Sequence, residues 1–222
     1  MGIRVSNLYI GYGNQFVLKN FNLELESGGL YIIKGSNGIG KSTLAHAITG
    51  IIPRDIQAFI KGNIIIDDKN IIDMSIAELC SSISIVLQNA NSSLFSFTVR
   101  DELAFAPENM CFEKGIIRDK ISEVIEKLEL SSIIDSPITD LSGGEKKKVQ
   151  IASVLTLDPN IIVFDEAMSS LDIDSRAKLR NIILDLIKQG KTIIMIEHMK
   201  TVDDIATRII DFDKIISEAT YD

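Results

Sequence analysis

Leu30-Tyr31-Ile32-Ile33-Lys34 leads without a break into Gly35-Ser36-Asn37-Gly38-Ile39-Gly40-Lys41-Ser42-Thr43, and this stretch decides the fold. The apolar run reads as a strand buried on both faces, as in a parallel sheet covered by helices. The loop fits G-x-x-x-x-G-K-[ST], and Leu44 to Ile48 continues it as a helix, the context that gives the motif its meaning. Glycines there let backbone N–H groups close on phosphate oxygens, and the helix start adds the positive end of its dipole. Lys41 is placed to reach the β- and γ-phosphates of a nucleotide, and the Ser42 hydroxyl to ligate Mg²⁺.

Three further short apolar runs end on residues that such a site needs. Ser84 to Leu87 runs into Gln88, Ile161 to Phe164 into Asp165-Glu166, and Ile193 to Ile196 into Glu197-His198. Ligands of open α/β sheets bind outside the carboxyl ends of the strands. Lys41, Gln88, Asp165, Glu166 and His198 are therefore expected at one sheet edge. Asp165 stands where an acidic residue holds Mg²⁺, and Glu166 is placed to accept a proton from an attacking water. A lone Asp-Glu pair is usually surface charge, and its weight here comes from the strand before it.

Composition narrows the class. The chain has 222 residues, 45% of them hydrophobic, with a formal net charge of -8. That length suits one large α/β domain with a helical insertion and not two full domains. An acidic surface argues against a nucleic-acid partner. The mean hydropathy is +0.20, yet no run reaches the roughly 18 apolar residues of a membrane helix. The N-terminus, Met1-Gly2-Ile3-Arg4, lacks the apolar core of a secretory signal. Cys80 and Cys111 lie in no CxxC pair and near no His cluster, so they read as free thiols.

Along the chain, residues 3 to 26 alternate apolar and polar, the pattern of antiparallel strands with one solvated face, with Gly11-Tyr12-Gly13-Asn14 as their turn. Asn63 to Ile66 reads as another strand. From about Asn89 to Thr139 no buried strand occurs. Ile117, Ile121, Val124, Ile125 and Leu128 have the spacing of an amphipathic helix, and Thr98 to Phe105 reads as a shorter one ending near Pro107. The segment is expected to be a helical subdomain inserted in the α/β core. Leu179, Ile182, Ile183 and Leu186 form one face of a later helix, with Gly190 as its stop.

Leu141-Ser142-Gly143-Gly144-Glu145 precedes another helical pattern, Lys146 to Leu155. It exposes backbone N–H groups at a helix start and so makes a second anion site. One chain does not need two cradles for one γ-phosphate. The economical reading is that this one serves a nucleotide held by another subunit.

With these motifs in this order, the sequence resembles the ATP-binding cassette (ABC) ATPase family over essentially its whole length. Gly35 to Thr43 matches its Walker A motif, Gln88 its Q-loop and Leu141 to Glu145 its signature. Ile161 to Glu166 matches Walker B, Ser170-Leu171-Asp172 the D-loop, and His198 the switch histidine. Tyr12 stands where the family places an aromatic against adenine. The resemblance implies a P-loop NTPase fold of ABC type: a mostly parallel core sheet, antiparallel N-terminal strands and an inserted helical subdomain. The core lobe would take residues 1–88 and 158–222, and the helical subdomain about 89–157.

The same resemblance implies an ATPase using ATP and Mg²⁺. It implies a head-to-tail dimer with a second ABC ATPase subunit, identical or related. ATP would bind Gly35, Ser36, Asn37, Gly38, Ile39, Gly40, Lys41, Ser42 and Thr43 of one chain. Ser142, Gly143, Gly144 and Glu145 of the other would close over it. Glu166 would be the general base, with Gln88 and His198 at the reacting phosphate. Ser42, Gln88 and Asp165 would hold the metal, and Asp172 would link the two sites.

Gln88 to Phe95 followed by Thr98 to Phe105 and Pro107-Glu108-Asn109 is similar to the energy-coupling factor branch, importers of vitamins and of cobalt or nickel. Transmembrane transporter subunits would be partners, with the chain at the cytoplasmic face of the membrane. A soluble ABC ATPase of an assembly system, of the iron–sulfur scaffold type with no membrane partner, is the rival reading. The pattern after Gln88 favours the transporter. Departures from the family are Ala90 for the usual Pro, Ala167-Met168 for Pro-Thr, Lys146-Lys147-Lys148 for a Gln/Arg pattern and Glu197 for Thr. None removes a catalytic group. The chain stops soon after His198, where many members of the branch continue into a tail that helps them dimerise.

Overall fold

Residues 2–219 are described by a computed structural model of the chain; Met1 and residues 220–222 lie outside the described residues. The alternating N-terminal segment forms β1 (Gly2–Tyr12) and β2 (Gln15–Glu26), paired antiparallel. β3 (Gly29–Lys34) then leads through the glycine loop into α1 (Lys41–Ile48), and a short α2 (Ile51–Arg54) follows. β4 (Phe59–Ile66) returns to pair with β1, and β5 (Lys69–Asn70) completes a four-stranded sheet in the order β2-β1-β4-β5.

α3 (Ile76–Ser82) delivers the chain to β6 (Ile83–Val86). Three helices follow without an intervening strand: α4 (Val99–Asn109), α5 (Lys114–Leu128) and α6 (Gly143–Leu157). β7 (Ile161–Asp165), α7 (Ile173–Lys188), β8 (Thr192–Ile196), β9 (Arg208–Asp211) and α8 (Phe212–Ala219) complete the chain. β6, β7, β8, β3 and β9 form a parallel five-stranded sheet in that spatial order. The expected α/β fold with antiparallel N-terminal strands and a parallel core is what the chain adopts.

Strand alternation divides the core in two. Tyr31, Ile33, Ile161, Val163, Ile194 and Ile196 face the antiparallel sheet and α1, where Ile10, Phe21 and Leu44 pack against them. Their neighbours Leu30, Ile32, Ile162, Phe164, Ile193 and Met195 face the helices, against Leu103, Val149, Leu179 and Ile183. Both faces of the central strands are thus dry, which is why they read as unbroken apolar runs. Parallel pairing also brings all their carboxyl ends to one edge.

Two elements depart from the sequence reading. α4 ends close to the expected place but runs through Pro107, to Asn109. Pro107 lies in the last turn, where its missing N–H removes only one bond, its ring is buried, and Phe112 donates to its carbonyl at 3.0 Å. β9 carries no apolar run: of its four residues only Ile210 is buried, as befits a sheet edge.

Candidate active site

The loop after β3 wraps the start of α1. Lys41 is only 5% exposed and donates from Nζ to the carbonyl oxygens of Gly35 and Ser36, both at 2.8 Å. Gly40 precedes it at φ +111°, and a Cβ there would sit 2.7 Å from Val17 Cγ1. Glycine is therefore required twice, by conformation and by space. Asp213, in the first turn of α8, accepts from the Ser36 N–H at 2.9 Å and anchors the loop's beginning.

The other strand ends converge on the same place. Ser42 Oγ donates to Asp165 Oδ1 at 3.2 Å. Gln88 Nε2 donates to Glu166 Oε2 at 2.7 Å, and His198 Nε2 lies 3.6 Å from Glu166 Oε1. A cleft of about 420 Å³ is lined by Asn37, Gly38, Gly40, Lys41, Ser42 and Thr43 together with Gln88, Glu166, His198 and Val17. Tyr12, Gly35, Ser36, Ile39 and Asp165 are outside that set, Asp165 reaching it only through Ser42. Tyr12 stands exposed at the end of β1. A larger hollow of about 590 Å³ between β1, β2 and α8 contains none of the expected site residues.

Glu166 adopts a left-handed backbone, φ +48°, rare for a residue with a side chain. Its N–H donates to Ile196 O of β8 at 3.0 Å, which fixes the turn that aims the carboxylate away from the strand and into the cleft. Glu197, on β8's extension, is 2% exposed and accepts from Met168 N–H at 2.8 Å. Burial raises its pKa, as it does for Asp165, where the Ser42 hydrogen bond pulls the other way. His46, one turn after Ser42 on α1, is held below the ordinary imidazole value by burial, against the pull of Asp165.

The residues fit a magnesium ion. Ser42 hydroxyl, Asp165 carboxylate and Gln88 carboxamide are hard oxygen donors, and Mg²⁺ takes few protein oxygens beside phosphate and water. Two of the three already meet, whereas Gln88 turns its amide to Glu166. No group of three or more His, Cys, Asp or Glu side chains builds a metal cage among the described residues.

The Ser142 to Glu145 segment lies elsewhere, at the start of α6. Ser142 caps that helix by accepting from Glu145 N–H at 3.3 Å, and Ser142 Oγ donates to Glu145 Oε2 at 2.6 Å. Ser142 and Gly143 are exposed, and a Cβ on Gly143 would meet nothing within 4 Å, so the helix start is open to approach. Asp172 caps α7, accepting from Ser175 N–H at 2.7 Å. Val17, His46, Lys147 and Asp213 were missed by sequence reasoning. A valine in a strand, a lone histidine and single charges carry no motif.

Comparison with known proteins shows the family and the fold. The family model described as ABC transporter matches residues 18–169. A Pyrococcus horikoshii protein named as an ABC transporter ATP-binding protein is 37% identical over 216 residues, 96% of this chain and 76% of that protein. The energy-coupling factor transporter ATP-binding protein EcfA1 of Mesomycoplasma hyopneumoniae is 36% identical, over 95% of this chain and 77% of its own length. Among solved structures, cbiO1 of Clostridium perfringens, part of the ABC transporter complex cbiONQ, superposes with a TM-score of 0.76 at 30% identity, covering 94% of this chain and 83% of that one. A dimeric ATP-binding cassette in a post-hydrolysis state with ADP and Pi gives 0.82 at 25% identity, covering 94% and 93%.

Proposed function

This chain belongs to the ABC transporter family as an ATP-binding, ATP-hydrolysing subunit, and from that premise we propose the role of each site residue and the kind of transporter it drives. Lys41 binds the β- and γ-phosphates, and the backbone N–H groups of residues 38–43 cradle them. Ser42, Asp165 and Gln88 would hold Mg²⁺, which would neutralise charge on the phosphate oxygens. Glu166 takes the proton of the attacking water, Gln88 fixes the orientation of that carboxylate, and His198 contacts the γ-phosphate. Tyr12 stacks on adenine. The reading is carried by one observation, the Gln88–Glu166–His198 cluster on the cleft that Lys41 floors.

Ser142, Gly143, Gly144 and Glu145 close on the ATP of a second ATPase subunit, a copy or a related chain. Two features support this: the open start of α6, and its separation from the chain's own Lys41 cleft. Asp172 links the two composite sites. The subunit drives an importer of the energy-coupling factor type, held by transmembrane subunits at the cytoplasmic face of the membrane. The EcfA1 relative and the cbiO1 structure support that branch. No helix among the described residues is long and apolar enough to cross a membrane.

The docking surface is the segment after Gln88. Phe95 and Phe97 are 64% and 78% exposed, and Phe95 packs edge-on against Phe105 with ring centroids 4.5 Å apart. Leu94 is half-buried against the helical core instead. Tagged chain recovered from detergent-solubilised membranes of its host should carry integral membrane proteins. Phe95→Asp/Phe97→Asp should lose them while keeping its fold, because substitutions at exposed sites change stability by only about 0.5 kcal/mol. Undiminished recovery with the double variant, or recovery of soluble proteins alone, contradicts the assignment.

A further inference from the structure

Lys147 is a charged side chain in the wrong place for a surface lysine. It lies in the second turn of α6, within the run Lys146-Lys147-Lys148, yet it is only 1% exposed and among the largest fully buried side chains of the protein. A buried ammonium is costly unless each of its three N–H groups finds an acceptor. Here all three do. Nζ donates to Leu87 O at 2.6 Å, to Gln88 O at 2.8 Å and to Gln150 Oε1 at 2.9 Å. Burial pulls its pKa down to about 8, against the opposing pull of the Asp165 and Glu197 carboxylates.

These acceptors are not scattered. Leu87 and Gln88 begin the loop that leaves β6 for the helical segment. Gln150, one turn further along α6 and 3% exposed, donates from Nε2 to Ser93 Oγ at 2.8 Å. Ser93 in turn donates to Ala90 O at 3.2 Å. Lys147 and Gln150 therefore hold both ends of the 87–93 loop against one helix. An exposed bond from Lys146 Nζ to Asn91 Oδ1 at 3.2 Å adds little beside them. The same helix begins at Ser142-Gly143-Gly144, so Gln88 is anchored twice: by its carbonyl to α6 and by its amide to Glu166.

We propose that Lys147 is a positioning residue for ATP hydrolysis, fixing the Gln88 backbone to α6 so that the amide of Gln88 meets Glu166 only when that helix is seated. Lys147 touches neither nucleotide nor reacting atoms and acts through Gln88. The start of α6 and the carboxylate at the reacting phosphate thereby move as one unit. A displacement at the helix start withdraws the partner of Glu166, because the distance from Lys147 to Gln88 O leaves no slack. The inference rests on the role given to Gln88 above.

The test is a double-mutant cycle on turnover, with Lys147→Met, Gln88→Ala and the two combined, and Lys147→Gln as the variant that restores donors without charge. Lys147→Met keeps the length and apolar bulk of the stem. Its kcat should fall by about 10- to 100-fold, the scale of misplacing a reacting group by roughly an ångström, with KM for ATP within about twofold. Added to Gln88→Ala it should cost nothing more, since residues that act through one another are not additive. Lys147→Gln should recover part of the loss. Amide exchange at Ser92, Ser93 and Leu94 should quicken in Lys147→Met by about tenfold, which reads the loop even in a weakly active variant.

Wild-type kcat in Lys147→Met overturns the proposal, as does a further full loss of turnover when it is added to Gln88→Ala. If Lys147→Met does not fold, the same cycle run with Lys147→Gln decides between the two outcomes. Gln88→Ala that turns over like the wild type instead removes the role of Gln88, and the Lys147 proposal falls with it.

Discussion

Gln88 and Glu166 lie 78 positions apart in the chain, yet the amide of one donates to the carboxylate of the other at 2.7 Å. The first follows β6 and the second follows β7, adjacent strands of the parallel sheet. Glu166 is further held by its left-handed turn and by the Ile196 carbonyl of β8. Three neighbouring strands thus meet in one acid, and the glycine loop after the fourth lies across the cleft from it. This is preorganisation in the ordinary sense: the acid's position is settled by the sheet before any substrate arrives.

The cap of α6 gives a pH-dependent prediction. The Ser142 hydroxyl and N–H donate to Glu145 and hold its carboxyl below the usual range. A depressed carboxyl stabilises the fold above its unfolded pKa, and that contribution is lost as pH falls through its folded value. Ser142→Ala should cost about 1 kcal/mol at neutral pH, the usual value of a lost helix N-cap. The gap between the variant and the wild type should narrow as the medium is acidified below the ordinary carboxylate range. Urea unfolding at neutral and acid pH measures it; a gap that widens on acidification contradicts the assignment.

Gly40 predicts a steric result. Alanine at φ +111° carries a backbone penalty of about 1–2 kcal/mol and, in addition, drives its Cβ into Val17. Gly40→Ala should weaken ATP binding by about tenfold or more, since 1.4 kcal/mol is one decade. A fluorescent-nucleotide titration reads this directly, and wild-type affinity would show that the loop does not need its observed shape.

A shared site predicts dependence on protein concentration. Lys41 and Ser142 serve one ATP from opposite subunits in the proposed arrangement, so specific ATPase activity should rise with concentration until the dimer saturates. Constant specific activity from a sample shown by light scattering to be monomeric under assay conditions would defeat the shared site. It would also remove the reading of Leu141 to Glu145 as a partner's cradle.

Much of this was legible because the central strands are dry on both faces. The isoleucine-rich runs ending at Lys34, Asp165 and Ile196 marked buried parallel strands, and parallel strands share an edge. The residues just beyond them therefore had to be neighbours. What escaped notice follows from the same physics. β9 lies at the sheet edge, where Arg208 and Ile209 face solvent, so no buried run announces it. Pro107 reads as a stop, but the last turn of α4 tolerates it. Lys147 sits in a run of three lysines that reads as a solvated face. Only the packing of α6 on β6 turns the middle one inward, toward carbonyl oxygens from a loop some sixty positions earlier.

The most direct test of the account is the steady-state turnover of Glu166→Gln measured beside its ATP affinity. The substitution keeps the shape of the side chain and its reach to Gln88 but removes the basic oxygen. ATP binding should be retained, and hydrolysis should fall by about 10² to 10⁴, the contribution of a positioned general base. Hydrolysis near the wild-type rate, with binding intact, would contradict the role of Glu166 and the reading of the cleft built around it.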